Sequence, residues 1–221
     1  MSIKMKDTVI FDLDGTLLDT LEDLTDAVNY ALTTCNMPQH TIDEIRQFVG
    51  NGVRKLMLRA VPQGEENPAF EKAFALFKEY YEEHCNDKTN AYEGVSELLQ
   101  KLKDAGYALA IVSNKIDSAV QDLNSKYFPQ VDVAVGDREG LRRKPAPDSV
   151  EEALRQLGKT KKDAVYVGDS EVDIQTAANA GLPCISVLWG FRDKQFLEEH
   201  DANCFAQKPK DVLELLQSGK F

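Results

Sequence analysis

Asp12 and Asp14, separated by one residue, stand directly after the apolar run Val9-Ile10-Phe11 and before the turn Gly15-Thr16. Side chains alternate along a strand, so Asp12 and Asp14 leave the backbone on one side and Leu13 on the other. Two carboxylates facing one way repel each other unless a cation lies between them, and oxygen ligands suit a hard divalent ion such as Mg²⁺. A second carboxylate pair, Asp169 and Asp173, follows the apolar run Ala164 to Val167 and Gly168. With a helix opening near Ser170, Asp173 falls one turn in and faces back toward Asp169. Another apolar run ends in Ser113-Asn114, and Lys144 belongs to Arg142-Arg143-Lys144, the densest positive run of an acidic chain. Singly, Ser113-Asn114 also reads as a turn or helix cap, and Lys144 as a solvated loop cation. Their occurrence after successive apolar runs joins them into one set. Three or four carboxylates would then converge on one point, which fits a Mg²⁺ holding some of its waters.

Such residues need strands to carry them, and an alternating pattern runs from residue 94 onward. Val95, Leu98, Leu99 and Leu102 mark a helix stopped by Gly106, and Ala108 to Val112 is a short apolar strand. A helix through Ala119, Val120 and Leu123 precedes a strand at Val131 to Val135. Val150, Ala153, Leu154 and Leu157 mark the next helix, with Gly158 as its stop. Ala164 to Val167 is a strand, a helix over 171–180 ends at Gly181, and Cys184 to Leu188 is a fifth strand. Val212, Leu215 and Leu216 belong to a last helix. Short, fully apolar strands alternating with helices predict an α/β fold with a doubly wound, parallel, Rossmann-like sheet.

Between the first two strands the apolar residues recur at helical spacing instead: Leu21, Leu24, Val28, Ala31 and Leu32; Ile42, Ile45, Phe48 and Val49. Val53, Leu56, Met57 and Ala60, then Phe70, Ala73, Phe74, Phe77 and Tyr80, make two further stripes. This stretch is far longer than one crossover needs. It predicts a small all-helical cap domain, residues 19–90, inserted after the first strand into a catalytic core of residues 1–18 and 91–221. Open parallel sheets bind ligands beyond the carboxyl ends of their strands, and the cap is expected to cover that place.

A hydrophobic share of 43% over 221 residues is enough for a core, and no apolar run reaches the ~18 residues of a membrane span. The net charge of −11 argues against a nucleic-acid or anionic-membrane surface. Met1 to Lys6 lacks the apolar stretch of a secretory signal, and Cys35, Cys85, Cys184 and Cys204 have no metal-binding spacing. A cytoplasmic protein with reduced thiols is expected, a monomer or weak homodimer, in which any affinity for a small phosphorylated metabolite must come from local cations.

With these residues assembled, the chain resembles the haloacid dehalogenase-like (HAD) hydrolase superfamily. Asp12-Leu13-Asp14-Gly15-Thr16, Ser113, Lys144 and Gly168-Asp169-Ser170-x-x-Asp173 match its four motifs in order, over nearly the whole chain. Lys144-Pro145-x-Pro147 and Gly168-Asp169-Ser170 are similar to the branch with a helical cap. Within it, Val49-Gly50-Asn51-Gly52, Leu56-Met57-x-Arg59-Ala60 and Ser113-Asn114-Lys115 resemble the phosphoglycolate phosphatases. The resemblance implies Mg²⁺-dependent hydrolysis of a phosphate monoester through an aspartyl-phosphate. Asp12 would be the nucleophile and Asp14 the acid and base, with Thr16 orienting Asp14 and the first turn. Ser113, Asn114 and Lys144 would hold the phosphoryl oxygens. The implied Mg²⁺ ligands are the Asp12 carboxylate, the Asp14 main-chain carbonyl and Asp169, with Asp173 in support through water or Lys144.

In the cap, Gly50-Asn51-Gly52 is either a turn between helices or a loop whose N–H groups, with Arg54, meet the leaving group. Trp189-Gly190-Phe191 reads as rim and packing. The superfamily also contains pyrophosphatases and sugar-phosphate mutases such as β-phosphoglucomutase. Mutases resemble one another in a cap-side His where this chain has Leu24, and in a Val where it has Thr16. Haloacid dehalogenation is disfavoured by Asp14, which stands where those enzymes have Tyr. A non-catalytic binding protein on the same fold would be signalled by loss of Asp12 or Asp169, and both are present.

Overall fold

The computed structural model describes residues 6–219 and Phe221. Met1 to Met5, which belong to the segment expected to lack a signal's apolar stretch, lie outside the described residues. The chain divides into two compact units: one is Leu18–Asn90, and the other runs to Leu17 and resumes at Ala91. It opens with β1 (Thr8–Phe11) and β2 (Leu18–Asp19), and continues through α1 (Leu21–Thr34), α2 (Ile42–Phe48), α3 (Val53–Ala60) and α4 (Phe70–His84). It returns by β3 (Asn90–Ala91), and β2 and β3 form a two-stranded sheet of their own. Then follow α5 (Val95–Asp104), β4 (Ala108–Ile116), α6 (Asp117–Tyr127), β5 (Val133–Asp137) and α7 (Asp148–Leu157). The chain ends with β6 (Ala164–Gly168), α8 (Glu171–Ala180), β7 (Cys184–Val187), α9 (Lys194–Glu199), β8 (Phe205–Ala206) and α10 (Pro209–Gln217).

Among the described residues, six strands make the main sheet in the order β5-β4-β1-β6-β7-β8, and each pairing is parallel. β1 lies between β4 and β6, with Phe11 level with Ile111 and Val167. The strand order reverses there, which is where open α/β sheets gather their ligands. All four residues of β1 are buried, as a strand covered on both faces requires. Ile10, Ala110, Val112 and Val135 pack with Val150, Ala153 and Leu154 of α7 and with Ala177 and Ala180 of α8. Each larger side chain in that layer contributes about 1.5–3 kcal/mol by leaving water.

Several details depart from the sequence reading, the short strands β2 and β3 and helix α9 among them. The third strand of the alternating series is Val133–Asp137 rather than Val131 to Val135, and Phe205–Ala206 adds a strand too short to show a period. Ser113-Asn114-Lys115 lies within β4 instead of following it, and the pairing with β5 shifts register between Val112 and Ile116. Such shifts re-aim side chains at sheet ends.

In the helical unit α1 packs along α4, burying Leu24, Val28, Ala31 and Leu32 of one and Phe70, Ala73 and Phe77 of the other. Asp23 in the first turn of α1 is buried and accepts from Lys88 N, Thr89 N and Thr89 Oγ1 at 2.7–3.2 Å. Among the described residues no helix is long and apolar enough to cross a membrane, and Cys35, Cys85, Cys184 and Cys204 form no disulfide.

Candidate active site

Asp12 follows β1 and prolongs its ladder, its N–H donating to Val167 O at 2.9 Å. Its Oδ1 accepts from Leu13 N at 2.7 Å and pairs with Lys144 Nζ at 2.8 Å. Asp169 leaves β6, and Asp173 sits in the first turn of α8, whose N-cap is Ser170. Asp12, Asp169 and Asp173 each bring a carboxylate oxygen within 4.8 Å of the other two. All three are buried, Asp173 entirely.

Their partners differ. Asp173 Oδ2 accepts from Asp169 N, Ser170 N and Ser170 Oγ, and its Oδ1 meets Lys144 Nζ at 2.8 Å and Tyr166 OH at 3.1 Å. Asp173 is thus saturated by protein donors. Asp169 accepts from Thr16 Oγ1 at 3.0 Å and from Phe191 N at 2.8 Å. Gly15 has φ +85, and a Cβ there would collide with the Asp169 carboxylate; at Gly190 it would collide with Asp169 and with Gly15 O. Only glycine lets the two loops close this tightly on a carboxylate.

Electrostatics set the three apart. Burial, then the Asp173 charge, pushes Asp12 well above the ordinary carboxylate range, against the pull of Lys144. Burial and Asp173 push Asp169 up to about 7, against the Phe191 N–H and the Thr16 hydroxyl. Burial also works against charge on Asp173, but Lys144 and the donors of Ser170 and Tyr166 overcome it and hold this carboxyl below the usual range. Lys144 is desolvated as well, yet Asp12 and Asp173 keep its ammonium protonated far beyond an ordinary lysine. Lys144 pairs with two of the three buried carboxylates, Asp12 and Asp173, while Asp169 has only a hydroxyl, a main-chain N–H and the more distant charge of Arg192. The deficit of positive charge, the all-oxygen donor set and the cradle lined by Gly15 and Gly190 fit a hard divalent cation.

The remaining expected residues fall into place unevenly. Ser113 is buried, and its Oγ accepts from Lys115 N at 3.1 Å, leaving its own O–H to donate. The Asp14 carboxylate stands outside the three-carboxylate group and pairs with Lys115 Nζ at 3.2 Å. Thr16 orients Asp169, not Asp14, because its hydroxyl reaches across to the end of β6. Asn114 has a further structural role. Its Oδ1 accepts from Lys144 N at 2.8 Å and its Nδ2 donates to Lys144 O at 3.2 Å, so the amide clamps the backbone of Lys144 and keeps one N–H with which to donate. Arg142 pairs with Asp148 and Arg143 with Asp137, so of that positive run only Lys144 meets the carboxylates.

Sequence reasoning missed Lys115, Tyr166 and the 189–191 loop. Trp189 Nε1 donates to Thr16 O at 2.9 Å and Phe191 N to Asp169, so this loop buttresses the site beyond ordinary packing. A tyrosine inside an otherwise aliphatic strand, and a glycine between two aromatics, were the available signals.

Within the helical unit, Gly50, Asn51 and Gly52 join α2 to α3, and Arg59 braces them by donating to Phe48 O and Asn51 Oδ1. Arg54 does not present an unengaged cation. Its Nη2 meets Glu65 Oε1 at 3.0 Å and Glu71 Oε1 at 2.8 Å, and its guanidinium lies over Phe70 and Phe74. These pairs are exposed and of small energetic weight. Arg54→Ala should therefore leave the melting temperature nearly unchanged and alter kcat/KM by less than about threefold, for carboxylated and neutral leaving groups alike. Steady-state kinetics on both kinds of substrate check this; a loss confined to the carboxylated one would restore Arg54 as a substrate ligand.

The model of the family described as haloacid dehalogenase-like hydrolase matches residues 9–187. The chain is 33% identical over 200 residues to a phosphoglycolate phosphatase of Mesorhizobium japonicum, covering 86% of either chain. It is 36% identical over 196 residues to a phosphoglycolate phosphatase of Rhodobacter capsulatus, covering 85% of this chain and 87% of that one. Among solved structures it is similar to a protein of Lactobacillus delbrueckii subsp. bulgaricus provisionally named phosphoglycolate phosphatase. The TM-score is 0.93 at 36% identity, covering 96% of this chain and 98% of the other.

Proposed function

The chain belongs to the family of haloacid dehalogenase-like hydrolases, and from that premise we propose that it hydrolyses a small phosphate monoester, 2-phosphoglycolate, with Mg²⁺ as cofactor. The convergence of Asp12 and Asp169, at the ends of neighbouring strands β1 and β6, with Asp173 of α8 and Lys144 of the loop between β5 and α7 carries this reading. Residues 18–90 act in it as the cap that takes part in selecting the leaving group. The Mg²⁺ would be held by the carboxylates of Asp12 and Asp169 and the main-chain carbonyl of Asp14, with Asp173 behind them. When bound, the ion supplies the positive charge that lets a carboxylate approach a phosphate dianion.

Asp12 attacks phosphorus while the ester P–O bond breaks. Its Oδ1 is engaged by Leu13 N–H and Lys144, which fixes the direction of Oδ2. Asp14 gives its proton to the departing alkoxide, then takes one from the water that attacks the aspartyl-phosphate and releases phosphate. The Ser113 hydroxyl and the Lys144 ammonium offset charge on the phosphoryl oxygens as it spreads in the transition state. Asn114 acts through Lys144, and Thr16, Trp189 and Phe191 act through Asp169 and the first turn.

Purified protein with Mg²⁺ should release phosphate from 2-phosphoglycolate faster than from sugar phosphates, nucleotides or pyrophosphate, and a chelator should stop it. Preference for another panel member would replace the substrate; inactivity towards the whole panel would end the hydrolase reading. A second readout is thermal. Without metal, Asp169 stays protonated in the fold up to about pH 7, whereas its ordinary value is 3.8. The native state then binds more protons than the unfolded chain, so stability is full below pH ~4 and is lost as pH rises towards 7. Added Mg²⁺ should raise the melting temperature more at pH 8 than at pH 5. An equal rise at both would place the cation elsewhere.

A further inference from the structure

The site holds a second buried ammonium. Lys115 lies two residues beyond Ser113 on β4, its side chain only 6% exposed, with Nζ 3.2 Å from Asp14 Oδ1. Burying a lysine is costly unless its charge is compensated. Lys144 is already committed to Asp12 and Asp173, on the side where the phosphoryl group is handled. Lys115 is committed to Asp14, the carboxyl assigned to the leaving oxygen. One ammonium thus stands beside the carboxylate assigned as nucleophile and another beside the carboxylate assigned as proton donor.

We propose that Lys115 is the specificity residue that recognises a carboxylate on the carbon next to the ester oxygen of the substrate. The inference rests on the hydrolase reading above and deepens it. In such an ester, ordinary bond lengths bring a carboxylate oxygen within about 3 Å of the leaving oxygen. A cation within hydrogen-bond reach of the group that serves the leaving oxygen is therefore within reach of that carboxylate too. A phosphate ester with a neutral leaving group leaves Lys115 with only its protein partners. Selection against neutral esters is thereby built into the catalytic unit itself, apart from any contribution of residues 18–90. A charged hydrogen bond made only by the carboxylated substrate gives about a ten- to hundredfold preference.

The test compares 2-phosphoglycolate with its uncharged amide, carbamoylmethyl phosphate, whose leaving group is nearly isosteric and equally in need of a proton. In the wild type, kcat/KM should favour the carboxylate. Lys115→Met should reduce kcat/KM for 2-phosphoglycolate about ten- to a hundredfold more than for the amide, with much of the difference in KM. Lys115→Arg should restore most of the preference. Circular dichroism and melting temperature gate the comparison, with Lys115→Gln replacing Lys115→Met if the latter does not fold. Equal losses on both esters would make Lys115 only the counter-ion of Asp14 and overturn the proposal, as would no loss on either. A wild type that ignores the carboxylate, or does not turn over 2-phosphoglycolate, would instead overturn the substrate reading.

Discussion

Asp12→Asn should lower turnover of 2-phosphoglycolate at least about 10⁴-fold and abolish formation of a phosphoenzyme or of its beryllofluoride mimic. An amide of the same shape keeps the contact with Leu13 N–H but is a far poorer nucleophile. The variant should also be more stable than the wild type when metal is absent at pH 8. Burial and Asp173 disfavour charge on Asp12 more than Lys144 favours it, so a neutral side chain relieves repulsion that the active site otherwise sustains. Asp14→Asn should behave differently, slowing alkoxide departure and attack by water while leaving the beryllofluoride complex intact. Phosphoenzyme trapping, together with melting curves in chelator, separates the two carboxylates. Wild-type turnover in Asp12→Asn would require another nucleophile.

Lys144→Met should reduce kcat by roughly 10³-fold, the scale of losing one preorganised donor to a developing oxyanion. It should also cost about 3–5 kcal/mol of stability at pH 8, because it leaves buried carboxylates without their cation. Lys144 lies 2.8 Å from both Asp12 Oδ1 and Asp173 Oδ1, and the side chain is 2% exposed. The pH dependence follows from the same geometry. Once Lys144 is gone, the native carboxylates hold protons more tightly than the unfolded chain does, and stability falls as pH rises through their folded values. Asp12 and Asp173, the two carboxylates that Lys144 meets, carry this change. The destabilisation should therefore shrink at pH 5, and Mg²⁺ should recover part of it at pH 8. Denaturant melts at the two pH values test this. A loss that does not depend on pH would mean that Lys144 contributes by packing alone.

The sequence by itself determined the parts and their order. Val9 to Phe11, Ala108 to Val112 and Ala164 to Val167 are apolar throughout because a strand covered on both faces meets no water, and that pattern is local. The helical stripes of α1, α3 and α4 are local in the same way, each helix showing its buried face in its own spacing, whereas α2 buries Ile45 and leaves Ile42 exposed. Asp169 and Asp173 were legible as a pair, since one helical turn relates residues four apart; Asp12 and Asp14 lie beyond the end of β1, and only the Asp12 carboxylate joins them.

Only the tertiary structure decided which group serves which. Thr16 was expected on Asp14, but its hydroxyl donates to Asp169, 153 positions away. Asn114 was expected on phosphate; its amide also clamps the main chain of Lys144, 30 positions away, and keeps one N–H to donate. Lys115 appeared only as a letter in a motif until the strand order brought β4 beside β1 and set its ammonium against Asp14. Phe191 supplies a main-chain N–H, which no side-chain type announces. Side-chain chemistry and short-range period are written in the chain. The choice among hydrogen-bond partners is not, because it depends on distances of a few tenths of an ångström between segments that meet only when the sheet assembles.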